Sequence, residues 1–284
     1  MNSSLAFSME GGDIQPSNSK PGIGYYRALD VNDAVRAKRD GGPHTVFLGG
    51  GTALQLGWDK DPDVSLLIDV LRFQSSAPCR LSHGVLEINA FTSLESLRCD
   101  RIVKTHFPAL ATALGSIASF GIRSLGTFGG NLAWQKGDLR PLLLAAGATM
   151  SISKGTVTID DWLVQRDEDD LLVSVRIPMA ARQLTFEKIG YREAFSPSSV
   201  TLAFSLDPAD PKIAVGGGDN RTGRLHAVEY AFSSSYPSLP RQLASIVAQE
   251  AMLTDSITMS AADKAVVVAN VLRGHAEAST IWRS

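Results

Sequence analysis

The chain has 284 residues, 44% hydrophobic and 20% charged, and its 27 basic residues offset 29 acidic ones to leave a net charge of −2. That length suits two domains, or one with an added lobe, and the lack of a basic stripe excludes nucleic acid as an expected partner. No apolar run reaches the roughly 18 residues of a membrane helix, and residues 1–20 lack a charged-then-apolar leader pattern, so a cytoplasmic, non-membrane protein is expected.

Residues 1–22 read as a flexible lead-in. Val31, Ala34 and Val35 fall at helical spacing, and Gly41-Gly42-Pro43 stops that helix. Residues 44–48 read as a buried strand running into Gly49-Gly50-Gly51-Thr52; 64–70 and 85–89 read as further strands. Thr92 and Glu95 have capping-box spacing, which predicts a helix start. Pro108 opens a helix with Leu110, Ala113, Leu114 and Ile117 as its apolar stripe, ending near Gly121. Residues 139–146 predict another. Strands are expected between 149 and 177, with 167–170 a solvated acidic turn. The pattern changes around 178–182, which divides the chain into an expected first domain, 23–178, and a second, 183–284. Strands at 184–191, 200–206 and 212–215, then helices near 238–253 and 260–277, make the second part α+β rather than doubly wound.

Cys79 and Cys99 fit neither a disulfide framework nor an iron–sulfur or zinc ligand set. His44, His83, His106, His226 and His275 are isolated, with no helical pairing. Any redox metal is therefore expected in a partner.

Three glycine clusters stand out: Gly49-Gly50-Gly51-Thr52, Gly126-Thr127-Phe128-Gly129-Gly130-Asn131 and Gly216-Gly217-Gly218. Glycine lets successive N–H groups converge on an anion without a Cβ in the way. Tight turns use the same residues, so a lone cluster says little. The first has neither the Gly-Lys-Ser/Thr of a nucleotide-triphosphate loop nor the third glycine of the dinucleotide fingerprint.

Taken together, the first two clusters say more. The segment Ile122-Arg123-Ser124-Leu125-Gly126-Thr127-Phe128-Gly129-Gly130-Asn131 closely resembles the signature of the FAD-binding subunits of molybdenum hydroxylases, the medium chains of bacterial xanthine, carbon monoxide and aromatic-heterocycle dehydrogenases. Leu48-Gly49-Gly50-Gly51-Thr52 stands where that family carries its first loop. Asp138-Leu139-Arg140-Pro141-Leu142-Leu143-Leu144-Ala145 is similar to its following helix, and Lys188 to Ala194 and Ile213 to Gly218 match more weakly. The resemblance implies an α+β, PCMH-like FAD-binding domain with two glycine-rich pyrophosphate loops, then a smaller α+β domain. It assigns non-covalent FAD to Leu48, Gly49, Gly50, Gly51, Thr52 and Ala53 of the first loop and to Gly126, Thr127, Gly129, Gly130 and Asn131 of the second. Backbone N–H groups of both loops would clasp the pyrophosphate, with Thr52, Thr127 and Asn131 adding side-chain bonds. Asp138 would reach a ribityl or ribose hydroxyl, and Lys188 and Tyr191 would lie near the flavin ring.

The resemblance further implies a heterotrimer. A large subunit would carry the molybdenum cofactor, a small one the iron–sulfur clusters, and this chain would pass electrons through FAD to NAD or another acceptor. Two departures from the family pattern stand out: the interval from Asn131 to Asp138 is shorter, filled by Trp134-Gln135-Lys136-Gly137, and Phe195-Ser196-Pro197-Ser198 stands where an acid is common. Each residue also has a plainer reading. Arg123 suits a salt bridge that holds its loop, Asp138 a helix N-cap, and Asn131 a bond to its own turn. Gly216-Gly217-Gly218 suits a strand-end turn, and Trp58 and Trp134 suit core packing or a subunit interface. Two other functions compete: a stand-alone FAD-dependent reductase or oxidase, which needs its own proton donor, and a flavin-free scaffold, which has no need of two ligand-shaped turns.

Overall fold

A computed structural model describes residues 8–9, 22–56, 63–192, 196–207, 209–235 and 241–278. Trp58, Glu193, Ala194, Phe195 and most of the expected lead-in lie outside the described residues. Within that lead-in, Ser8–Met9 forms a short strand, β1.

The first layer is a parallel sheet in the order β1, β2 (Gly24–Arg27), β4 (Leu66–Asp69), β3 (Thr45–Leu48). Helix α1 (Val31–Asp40) follows β2, and α2 (Thr52–Gln55) follows β3. Asp30 caps α1 by accepting the Asp33 N–H, and Lys38 and Arg39 occupy its last turn, where cations complement the helix dipole. Its apolar stripe packs Ala34 and Val35 with Ile68, Val70 and Phe91.

The second layer is antiparallel, ordered β5 (Cys79–Ser82), β6 (Val85–Asn89), β9 (Leu172–Pro178), β7 (Thr149–Ile152), β8 (Gly155–Thr158). Helices α3 (Leu94–Cys99), α4 (Arg101–His106), α5 (Pro108–Ser116), α7 (Phe128–Ala133), α8 (Arg140–Ala145) and α9 (Ile159–Gln165) share its core, and α6 (Phe120–Leu125) packs on α3. Leu132, Leu139 and Leu143 are fully buried here, each contributing about 1.5–3 kcal/mol of apolar burial. The segment around the second glycine loop is thus anchored in the main core.

After Pro178 the strands move to a third sheet, antiparallel, of β10 (Thr185–Gly190), β11 (Ser198–Ser205), β12 (Lys212–Gly216) and β13 (Gly223–Arg224). Helices α10 (His226–Ser235), α11 (Leu243–Glu250) and α12 (Ala261–Ala278) complete the chain. One face of β11 and β12 (Val200, Leu202, Phe204, Ile213, Val215) packs on residues from those helices, while Ala203 and Ala214 join the main core.

Four expectations need correction. The Pro108 helix stops at Ser116 rather than near Gly121, because Ala118 turns left-handed at φ 40° and Ser119 then caps a new helix. The capping-box pair is not formed: Ser93 caps α3 by accepting the Ser96 N–H, and Glu95 turns to Arg98 and Arg123. Helix α9 lies where only strands were expected, capped by Thr158 with Asp160 and Asp161 in its first turn. Helix α10 was not foreseen at all. Among the described residues no helix is long and apolar enough to cross a membrane.

Candidate functional site

β3 and β4 are neighbouring parallel strands, and such strands bind ligands outside their carboxyl ends. The first glycine loop leaves β3 at that end. A Cβ on Gly50 would stand 1.7 Å from the Leu125 carbonyl oxygen, so the backbones of this loop and α6 are in direct contact. Gly51 sits at φ 70°, the left-handed geometry that turns the chain into α2. The N–H groups of Gly49, Gly50, Gly51, Thr52, Ala53 and Leu54 donate to no described residue. The Gly49–Gly51 turn and the first turn of α2 thus offer six consecutive donors without a partner among the described residues, an arrangement suited to an anion.

The second loop differs from what its glycines suggested. Its amides are already committed: Gly126 donates to Ile122 O at 2.7 Å, Phe128 to Thr92 O at 2.9 Å, Gly129 to Ala90 O at 2.7 Å and Asn131 to Thr127 O at 3.0 Å. The Gly130 N–H goes to the Thr127 hydroxyl at 3.0 Å, capping α7. Of the donors expected to clasp pyrophosphate from this side, the Thr127 N–H and hydroxyl proton have no partner among the described residues. The glycines serve packing instead: a Cβ on Gly129 would meet Ala90 at 2.9 Å.

The two loops abut, Gly49 against Thr127 and Gly50 against Leu125, and residues of both line one cleft of about 530 Å³, within the size range of small-molecule and cofactor sites. Of the expected residues, Leu48, Gly49, Gly50, Gly51 and Thr127 line it, whereas Thr52, Ala53, Gly126, Gly129, Gly130, Asn131, Asp138, Lys188 and Tyr191 do not. Gln55, Gln74, Phe91, Ser93, Ser96 and Ser124 also line it and were missed. Ser93 and Ser124 adjoin residues singled out in the sequence, and Gln74 follows β4 just as the first loop follows β3. The carboxyl-end rule for parallel strands would have found Gln74 once the pairing was known. Among the described residues, no lysine, arginine, histidine, aspartate or glutamate lines the cleft.

Asp138 and Lys188 form a second centre. Lys188 Nζ lies 2.8 Å from Asp138 Oδ2 and donates to Ser116 O at 3.0 Å, while Ser198 Oγ donates to Asp138 Oδ1 at 2.6 Å. Both charged side chains are buried. Asp138 is not a helix cap: α8 has Leu139 at its N-cap and no side-chain cap bond. Asn131 Oδ1 accepts the Leu139 N–H at 3.3 Å, so its carboxamide closes the chain reversal after α7. Tyr191 is exposed just beyond β10, its N–H bonded to Ser196 Oγ. Arg123 is a structural clamp, donating to Glu95 at 2.7 Å and to the carbonyls of Ile117 and Ala118. Gly216-Gly217-Gly218 ends β12 in a tight turn, with φ 78° and 58° at Gly217 and Gly218.

Residues 19–180 match the family described as the FAD binding domain in molybdopterin dehydrogenase. The chain is 26% identical over 234 residues to the glyceraldehyde dehydrogenase medium chain of Sulfolobus acidocaldarius, covering 74% of this chain and 80% of that one. It is 33% identical over 111 residues to a xanthine dehydrogenase FAD-binding subunit of Escherichia coli O157:H7, spanning 37% of that protein. Its fold superposes on a chain of carbon monoxide dehydrogenase from Hydrogenophaga pseudoflava with a TM-score of 0.76, at 20% identity over 89% of this chain and 96% of the other. Quinoline 2-oxidoreductase from Pseudomonas putida 86 gives 0.73, at 20% identity over 90% and 98%.

Proposed function

Because this chain belongs to the family of FAD-binding domains of molybdopterin dehydrogenases, we propose that it carries FAD in the cleft between its two glycine loops and relays electrons within a larger oxidoreductase. The observation that carries this reading is the run of N–H groups from Gly49 to Leu54 with no partner among the described residues, in a loop whose Gly49, Gly50, Gly51 and Leu54 line the cleft together with Thr127. Such a row suits a pyrophosphate: hydrogen bonds to a charged group contribute about 1.5–3 kcal/mol each, and no side-chain cation is needed. In this reading the second loop acts chiefly as a wall. It supplies Thr127 as a donor and the Leu125 carbonyl against which Gly50 is seated.

Asp138 orients a ribityl or ribose hydroxyl with the acceptor capacity left after its bonds to Lys188 and Ser198, since an ionised carboxylate accepts about four hydrogen bonds. Lys188 holds that carboxylate in place, and exposed Tyr191 covers the ring side. FAD, when bound, takes electrons singly and passes them on in pairs, as hydride to NAD or to another acceptor. A cleft whose described lining carries no charged side chain suits binding and orientation rather than acid–base catalysis by the chain itself, and this favours a relay over a stand-alone reductase. A large molybdenum subunit and a small iron–sulfur subunit are the proposed donors. The test is co-purification of the chain with its partner subunits, followed by reduction with substrate. Bleaching of the flavin only when all three are present supports the relay; substrate turnover by the chain alone overturns it.

A further inference from the structure

Two arginines, Arg140 on α8 and Arg166 after α9, make no salt bridge with a carboxylate among the described residues. Arg140 is buried, and its guanidinium donates only to carbonyls: Leu132 O at 2.9 Å, Gln135 O at 3.2 Å and Ala133 O at 3.4 Å. Arg166 donates to the same Ala133 oxygen. Both guanidiniums lie against the ring of buried Trp162, 5.7 Å and 5.3 Å from its centre, so the aromatic ring stands beside them where an anion would be expected. Burial, with repulsion from Arg166, lowers the Arg140 pKa to about 10, which leaves it charged at neutral pH. A buried cation without an acid is costly to keep, and what this one grips is the carboxyl end of α7, where a cation is favoured by the dipole.

The gripped carbonyls belong to the segment 132–138, the end of α7 and the loop after it, which is closed at its base. Asn131 Oδ1 holds the Leu139 N–H, and Gly137 lies so close to Asn131 that a Cβ there would stand 1.9 Å from its carbonyl oxygen. Two charged side chains project from the loop onto the third sheet, with opposite signs. Lys136 pairs with Asp219 at 2.6 Å, beside the Gly216-Gly217-Gly218 turn, and Asp138 pairs with Lys188 on β10. The first pair is exposed and contributes little alone; the second is buried.

We infer that Arg140, backed by Trp162 and Arg166, is a positioning residue for the cofactor: it stiffens the 132–138 loop and so fixes Asp138 and the third sheet relative to the cleft. This rests on the proposed role of Asp138 toward FAD. The fork of Arg140 spans three carbonyls, which a single ammonium does not.

The test is FAD titration of the full chain, far below its melting temperature, for wild type, Arg140→Met, Arg140→Lys and Arg166→Met, with flavin circular dichroism and thermal melting alongside. Arg140→Met is expected to weaken FAD at least about tenfold and to change the flavin circular dichroism, with Arg140→Lys rescuing only in part and Arg166→Met acting in the same direction more weakly. Wild-type affinity and dichroism in Arg140→Met and Arg166→Met, even with lowered melting temperatures, would overturn the inference and leave these residues purely structural. If Arg140→Met does not fold, exposed Arg166→Met decides on the same readouts. Failure of the wild type itself to bind FAD counts instead against the proposed function.

Discussion

The Leu125 carbonyl oxygen occupies the space a Cβ would need at Gly50, at a distance of 1.7 Å. Backbone meets backbone there, so no rotamer change relieves a larger residue. Gly50→Ala is expected to push the first loop away from α6, costing about 1–3 kcal/mol of stability as an overpacked site and FAD affinity with it. Thermal melting and FAD titration read the two effects separately. A Cβ on Gly49 would instead meet a side chain, the Thr127 hydroxyl at 2.8 Å, so Gly49→Ala is expected to disturb the cap of α7.

Thr127 has two duties, capping α7 and facing the cleft. Thr127→Val keeps the shape and removes the hydroxyl, so it should cost about 1 kcal/mol as a lost cap and lower FAD affinity as well. Thr127→Ser should keep both. Equal FAD affinity in all three proteins would confine the hydroxyl to capping.

Asp138 and Lys188 predict a non-additive pair. Asp138→Asn or Lys188→Met alone leaves a buried charge without its partner, a change that costs about 3–5 kcal/mol at such sites. The double variant removes both charges and should regain much of that stability. It should not regain FAD affinity if Asp138 orients the cofactor's sugar chain. A double variant that binds FAD like wild type would reduce the pair to a structural tie.

Glu95 sets an acid limit. Hydrogen bonds from Arg98, opposed by burial and aided by Arg123 and Cys99, hold its carboxyl at about 2, against about 4.3 for an unperturbed glutamate. A depressed pKa gives stability that is complete above the unfolded value and lost as pH falls through the folded one. Denaturation followed from pH 5 down to pH 2 should therefore show a loss that Glu95→Gln flattens. Arg123 also holds the Ile117 and Ala118 carbonyls at the left-handed turn before α6, so the same variant should loosen the cleft wall at neutral pH.

Much of this arrangement is legible in the amino acids. Val31, Ala34 and Val35 mark α1 by spacing alone, and the strand before Gly49 with its glycine run places the first loop. Local signals mislead where a tertiary contact decides. Ala118 carries no residue-type signal for a left-handed turn, yet Arg123 holds its carbonyl and ends the Pro108 helix early. Residues 159–165 lie where strands are expected, but the Thr158 cap and the burial of Ile159 and Trp162 go with a helix. The second loop is the clearest case. Its glycines suggest free donors, and only the neighbouring Ala90 and Thr92 carbonyls reveal that those donors are used. Gln74 and Ser96 line the cleft through strand pairing and helix placement, which no local pattern encodes.

The central claim is that the chain holds FAD non-covalently through the free amides of its first loop. It is tested most directly by titrating FAD into the purified chain, with its partner subunits present, and recording the absorption spectrum of the desalted protein. The account predicts stoichiometric flavin bands near roughly 370 and 450 nm, released as FAD by mild acid, and loss of those bands in Gly50→Ala. A colourless wild-type protein that still binds its partner subunits would contradict it and favour a flavin-free scaffold.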